Sequence, residues 1–170
     1  MLRLHLEQPV GSSATPSACS RLAVCESLRI VVVANGLSCD LYDLDELHVP
    51  GADLHRALSF AGRVQLDGCV AELATVPTDD GLVAAGTSNG GFTLVRLRRG
   101  VPVPPRTAVP VISHATFRRR IIPEGGVEAI RFHDRSALCA VAGGGGVHIV
   151  QHGATGLYHG ALEMPEGVHA

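Results

Sequence analysis

The chain has no tryptophan, and four phenylalanines and two tyrosines are its whole aromatic complement. A core without large rings must come from Val, Leu, Ala and Ile, and β-branched valine favours strands. Charge of one sign is equally scarce, because 14 basic against 16 acidic residues leave a formal net charge of -2 at pH 7. Such a chain has no global field to draw in nucleic acid or an anionic membrane, so any contact of that kind would be local. Apolar runs such as Ile30 to Ala34 fall far short of the roughly 20 residues that a membrane-spanning helix needs. The first twenty residues include Glu7 and lack a continuous apolar stretch, which argues against a secretory signal. Arg3, Arg21 and several serines fit a mitochondrial presequence as an alternative address. Cysteine is sparse and unpaired: Cys19, Cys25, Cys39, Cys69 and Cys139 are an odd number with no CxxC, the pattern of buried thiols in a reducing compartment.

What the chain has in quantity is hydrophobic side chains, at 46%, and turn formers, with 20 Gly and 10 Pro among 170 residues. A domain of this length can bury roughly 70% of its unfolded surface, so a real core is expected. Three segments share one layout. The first runs RLAVC (Arg21 to Cys25), RIVVVA (Arg29 to Ala34) and SCDLYDL (Ser38 to Leu44). The second runs VAELAT (Val70 to Thr75), a PTDDG turn, LVAAG (Leu82 to Gly86), a TSNG turn and GFTLVRL (Gly91 to Leu97). The third runs VEAIRF (Val127 to Phe132), an HDRS turn, ALCAVA (Ala137 to Ala142), a glycine turn and VHIVQ (Val147 to Gln151).

Each unit reads as strand, polar turn, small-residue strand, glycine turn and a third strand with alternating apolar residues. Phe92 and Leu94, like Val147 and Ile149, are the alternating pairs expected to point into the core. Ala57 to Leu66, Val109 to Ser113 and Leu157 to Met164 supply the fourth strands. Four strands per unit describe a propeller blade, and the spacings from Ala34 to Gly86 to Gly143 are 52 and 57 residues. The fold expected is therefore all-β and propeller-like, with about three four-stranded blades in an incomplete ring. Residues 1–19 form a flexible lead-in, 20–164 the partial propeller with units near 20–66, 67–113 and 125–164, and 165–170 a tail. Asp43 to His48 could add one helical turn, and the Pro-rich stretch Gly100 to Pro110 reads as an extended loop.

The chemistry-bearing residues argue for binding over catalysis. Nine histidines invite a metal, but no HExxH, HxH or Cys/His cluster gives ligand spacing, so no metal or other cofactor is expected. Gly143 to Gly146 lead into a strand, whereas phosphate loops lead into a helix. Asp79-Asp80 and His133-Asp134 fall in turns, and there is no GxSxG elbow. The conspicuous charge feature is Arg118-Arg119-Arg120, preceded by Phe117, with Arg98-Arg99 on the other side of the Pro-rich loop. Arginine beside an aromatic is suited to gripping carboxylates or phosphates. These six residues are the candidate protein-binding site, and the extended loop should project Arg118 to Arg120 from the rim.

The same segments, RLAVCESLRIVVVANGLSCDLYDLDEL, VAELATVPTDDGLVAAGTSNGGFTLVRL and GGVEAIRFHDRSALCAVAGGGGVHIVQ, together resemble the start of the N-terminal β-propeller of the cytoplasmic-face nucleoporins that recruit an mRNA-export helicase. That resemblance implies a WD-like scaffold at the nuclear pore or in the cytoplasm, acting in mRNA transport by binding a DEAD-box RNA helicase. It carries no contact residues over, and it implies about seven blades where three and part of a fourth are legible here. The competing expectations are a propeller enzyme with a hydrolytic or metal site and a structural subunit of a larger complex.

Overall fold

The computed structural model describes residues 21–44, 59–77, 79–99, 112–153 and 156–162, and every regular element among them is a strand. In chain order these are β1 (Leu22–Cys25), β2 (Ile30–Asn35), β3 (Ser38–Asp43), β4 (Ser59–Gln65), β5 (Val70–Val76) and β6 (Asp79–Thr87). They continue as β7 (Gly91–Arg99), β8 (Ile112–Arg120), β9 (Ala129–Phe132), β10 (Leu138–Gly143), β11 (Gly146–Gly153) and β12 (Gly156–Leu162). The strands form three four-stranded antiparallel meanders: sheet 1 from β1 to β4, sheet 2 from β5 to β8 and sheet 3 from β9 to β12. The all-β expectation and the division into three units of four strands therefore hold. Cys19, the Gly100 to Pro110 loop and residues 45–48 of the expected helical turn lie outside the described residues.

The strand register gives every sheet two faces, and the three sheets repeat the same division. On what we term the forward face, Ile30, Val32 and Ala34 of sheet 1 pair with Asp43, Leu41 and Cys39. In sheet 2 the equivalents are Leu82, Ala84 and Gly86, paired with Arg96, Leu94 and Phe92. In sheet 3 they are Leu138, Ala140 and Ala142, paired with Gln151, Ile149 and Val147. The opposite, rear face carries Leu22 and Val24 on β1, Leu73 on β5 and Ile130 on β9.

Sheets stack forward face against rear face. Ile30, Val32, Cys39 and Leu41 of sheet 1 share a buried cluster with Leu73, Val83, Ala85 and Val95 of sheet 2. The other side of sheet 2 repeats this, where Leu82, Ala84, Phe92 and Leu94 pack with Ile130, Cys139, Val141 and Val150 of sheet 3. Sheet 2 is thus covered on both sides, so Phe92 to Val95 are buried in an unbroken run. First strands meet first strands, β1 against β5 and β5 against β9, while the outer strands β4, β8 and β12 also touch in series.

Turns tie each sheet to the next. The Val70 amide donates to the Gly36 carbonyl at 2.9 Å, and the Val127 amide donates to the Thr87 carbonyl at 3.0 Å. In both cases the incoming chain hangs on the hairpin turn between the second and third strands of the preceding sheet. Gly90 shows what that costs in sequence freedom: its φ is +82°, and its carbonyl accepts from Ile121 at 3.0 Å and Ile122 at 3.1 Å. A Cβ there would run into the Ile122 carbonyl. Gly86 is small for a different reason, because a Cβ would meet the Val127 side chain that crosses it.

Two expectations are corrected. Ile149 is only half-buried, and the residue of β11 that enters the core is Val150, which pairs with Cys139. Alternation identifies two faces without saying which one a neighbouring sheet covers. Cys25, Cys39 and Cys139 are buried as expected, but Cys69 is exposed, because it lies in the connection that leads into β5. Burial, together with the nearby Asp40, pushes the Cys39 thiol up to about 12, and burial alone pushes Cys139 to about 12.

Candidate protein-binding cleft

The fourth strand of sheet 2 is longer than its Val109 to Ser113 signal, and β8 extends to Arg120. The three arginines therefore lie on a strand and not on the expected projecting loop. Arg118, Arg119 and Arg120 pair with Thr93, Phe92 and Gly91, at the beginning of β7. Arg98 and Arg99 pair with Ser113 and Ile112, at its other end. The hairpin thus separates two clusters that flank one loop in sequence. The five-residue step from Thr93 to Arg98 corresponds to about 17 Å of strand.

The two ends have different roles. Arg99 reaches across to sheet 1, donating through Nη2 to the Leu28 carbonyl at 2.7 Å and to Asp43 Oδ1 at 2.8 Å. Its Nε donates to the same carbonyl at 3.2 Å. Because Asp43 is buried, this is a structural strut between β7 and β3. Arg98 is exposed beside it.

At the far end, Phe117 and Arg118 to Arg120 are all exposed. The arginines line a cleft of about 330 Å³ with Asp67, Asn89 and Thr93. The Arg118 guanidinium is fixed by Asp67 Oδ1 at 2.9 Å through Nη1 and by the Gln65 carbonyl through Nη2. Asn89 locks the opposite wall: its Nδ2 donates to the Asp67 carbonyl at 3.0 Å, and its Oδ1 accepts from Thr87 Oγ1 at 2.6 Å. Arg120 Nη2 donates to the Pro123 carbonyl at 2.9 Å. A guanidinium has five donor hydrogens, so one or two such bonds orient it and leave further donors for a ligand. Phe117 shares a strand face with Arg119 and Leu94, whereas Arg118 and Arg120 share theirs with Thr93.

Asp67, Asn89 and Thr93 carry no functional signal in the sequence, since Asp67-Gly68 and Asn89-Gly90 read as turn chemistry. One compositional fact does bear on the site: all 14 cationic side chains are arginine, with no lysine. A second charged group, Asp40 with Arg63, is self-contained. Arg63 donates to both Asp40 oxygens at 2.5 and 3.0 Å, and Asn35 Nδ2 adds a third bond at 2.8 Å. The hydrogen bond to Asp40 raises the Arg63 pKa further above its ordinary value. His133, read from sequence as a turn residue, indeed organises its turn, its Nδ1 lying 3.3 Å from the Arg135 amide and 3.0 Å from Ser136 Oγ. Among the described residues, no three His, Cys, Asp or Glu side chains gather in a way that could hold a metal ion. No protein-family model matches this chain. No curated protein matches it significantly.

Proposed function

We propose that the chain is a non-catalytic interaction scaffold of β-propeller type whose cleft at the end of β8 receives an acidic segment of a partner protein. The observation that carries this reading is the cleft lined by Arg118, Arg119 and Arg120 with one carboxylate, Asp67, which fixes the Arg118 guanidinium. Preset guanidinium groups lose little freedom on pairing with carboxylates, and their planar forks match that geometry in two hydrogen bonds. The propeller reading rests on the repeated forward-to-rear stacking of four-stranded meanders. The likeness of the three segments to the nucleoporin propeller makes a DEAD-box RNA helicase, at the nuclear pore or in the cytoplasm, the first partner to test.

The test leaves Arg118 in place, because it is bonded to Asp67 and Gln65. Arg119→Glu/Arg120→Glu is compared with the wild type for binding to a glutamate-rich peptide and to the helicase, by calorimetry at low salt. Charged contacts that become buried on binding should make the loss worth about 2–5 kcal/mol, while contacts that stay wet should change mainly the on-rate and salt dependence. Unchanged affinity and on-rate for both ligands would remove the cleft as the binding site.

A further inference from the structure

The outer strand β8 ends sheet 2, and among the described residues no strand pairs with its far edge. The β7–β8 register runs unbroken from Arg99 and Ile112 to Gly91 and Arg120. Opposite residues of an antiparallel ladder alternate between pairs that exchange main-chain hydrogen bonds and pairs that do not. Two contacts fix which pairs are which. The Ile121 amide donates to the Gly90 carbonyl at 3.0 Å, one step beyond the last pair. The Gly91 amide turns instead to Asn89 Oδ1 at 3.3 Å, so Gly91 and Arg120 do not exchange bonds. By alternation, Phe117 and Arg119 direct their main-chain groups to β7, while Arg118 and Arg120 direct theirs to the outer edge.

The same two residues bring guanidinium groups to the cleft on the side of Thr93. Successive residues of one strand face lie about 7 Å apart. A second extended segment laid along β8 has that same repeat, so it meets main-chain groups and positive side chains in step. Three consecutive arginines repel a basic strand and leave an apolar one with uncompensated charge to cover. An acidic strand meets neither cost, since each carboxylate directly across from Arg118 or Arg120 forms an opposite-charge cross-strand pair. Asp67 holds the Arg118 guanidinium at 2.9 Å and so presets one of the two positions. The charge on this edge excludes most strands and admits one kind.

We infer that the acidic segment is bound by strand addition: it extends sheet 2 as a further strand, antiparallel to β8, with acidic residues across from Arg118 and Arg120. The inference deepens the proposed cleft and rests on it. Antiparallel is the sense of every pairing among the described residues, and it is the more stable sense per residue. Main-chain bonds then supply affinity for an extended segment, and the arginines supply the choice of an acidic one.

Amide exchange followed by NMR tests this on the 170-residue chain with an alternating Thr-Glu octapeptide at low salt. Without peptide, the Phe117, Arg119 and Ile121 amides should exchange slowly and those of Arg118 and Arg120 fast. Saturating peptide should slow the Arg118 and Arg120 amides at least about tenfold, through the hydrogen bonds they gain. In the antiparallel arrangement, glutamates across from Arg118 and Arg120 turn their own amides to β8, and the threonines turn theirs away. N-methylation of every glutamate should therefore weaken binding at least about tenfold, while N-methylation of every threonine should change it by less than about threefold. Arg118 and Arg120 amides that already exchange slowly without peptide overturn the inference. Binding that leaves them fast, or that survives glutamate N-methylation, also overturns strand addition, and it leaves a cleft that holds acids through side chains alone. Failure of the unmodified peptide to bind removes the cleft and the added strand together.

Discussion

Cys39 and Cys139 hold their protons because ionisation would put a thiolate into a core of valines and leucines, next to the carboxylate of Asp40 in the first case. Their pKa values, about 12 against the ordinary 9.0, make stability depend on pH in one direction. Below pH 9 both the folded and unfolded states keep the proton, and the preference is fully present. Between 9 and 12 the unfolded chain loses protons that the folded chain retains, so stability falls as pH rises. Each thiol should contribute up to about 1.4 kcal/mol per pH unit in that window. Denaturant titrations at a series of alkaline pH values should show a shallower decline for Cys39→Ala/Cys139→Ala than for the wild type, and parallel curves would show that neither thiol is desolvated. At this scale the sequence was a partial guide. It marked cysteine as a buried type, and three of four described thiols are buried, but Cys69 escapes because burial follows position in the connection and not residue type.

Element boundaries were legible at several of the turn formers that punctuate an apolar run, but β6 begins at Asp79, so Asp79 and Asp80 lie on a strand and not in the expected PTDDG turn. The Asn35-Gly36 turn between β2 and β3, and Gly90 between β6 and β7, mark hairpins that the structure contains. A further boundary that was missed is the end of β8, whose early residues look like a strand and whose end is three consecutive arginines. An outer strand has one side free for solvated charge, so charge alone does not terminate it. The same error hid the separation of Arg98 and Arg99 from Arg118 to Arg120, since only the antiparallel register reveals it. That register also places Arg99 in a structural contact. It holds the end of β7 to Asp43 and to the turn carbonyl of Leu28, and losing it would leave a buried carboxylate without this partner. Arg99→Met should therefore lower stability by about 2–4 kcal/mol in urea denaturation, whereas Arg98→Met, at an exposed neighbour, should stay within about 0.5 kcal/mol. Equal effects of the two would deny the strut.

Across the whole molecule, the repeat was visible because each unit reuses the same small residues for the same packing: Ala34, Gly86 and Ala142 occupy one position in three sheets. Which faces are covered was not visible, since Phe92 and Val147 hold equivalent places and alternate alike while only Phe92 has a sheet over it. That difference should be measurable as a gradient of stability within one chain. Sheet 2 has apolar contacts on both sides, so its β6 and β7 amides can open only when both core clusters give way. Among the described residues, sheets 1 and 3 each share one such cluster and can open singly. Native-state hydrogen exchange at low protein concentration should then be slowest in β6 and β7, with β2 and β10 faster. Exchange that is uniform across the three sheets at low concentration would show that the stack opens as one unit and that the second face of sheet 2 adds no local stability.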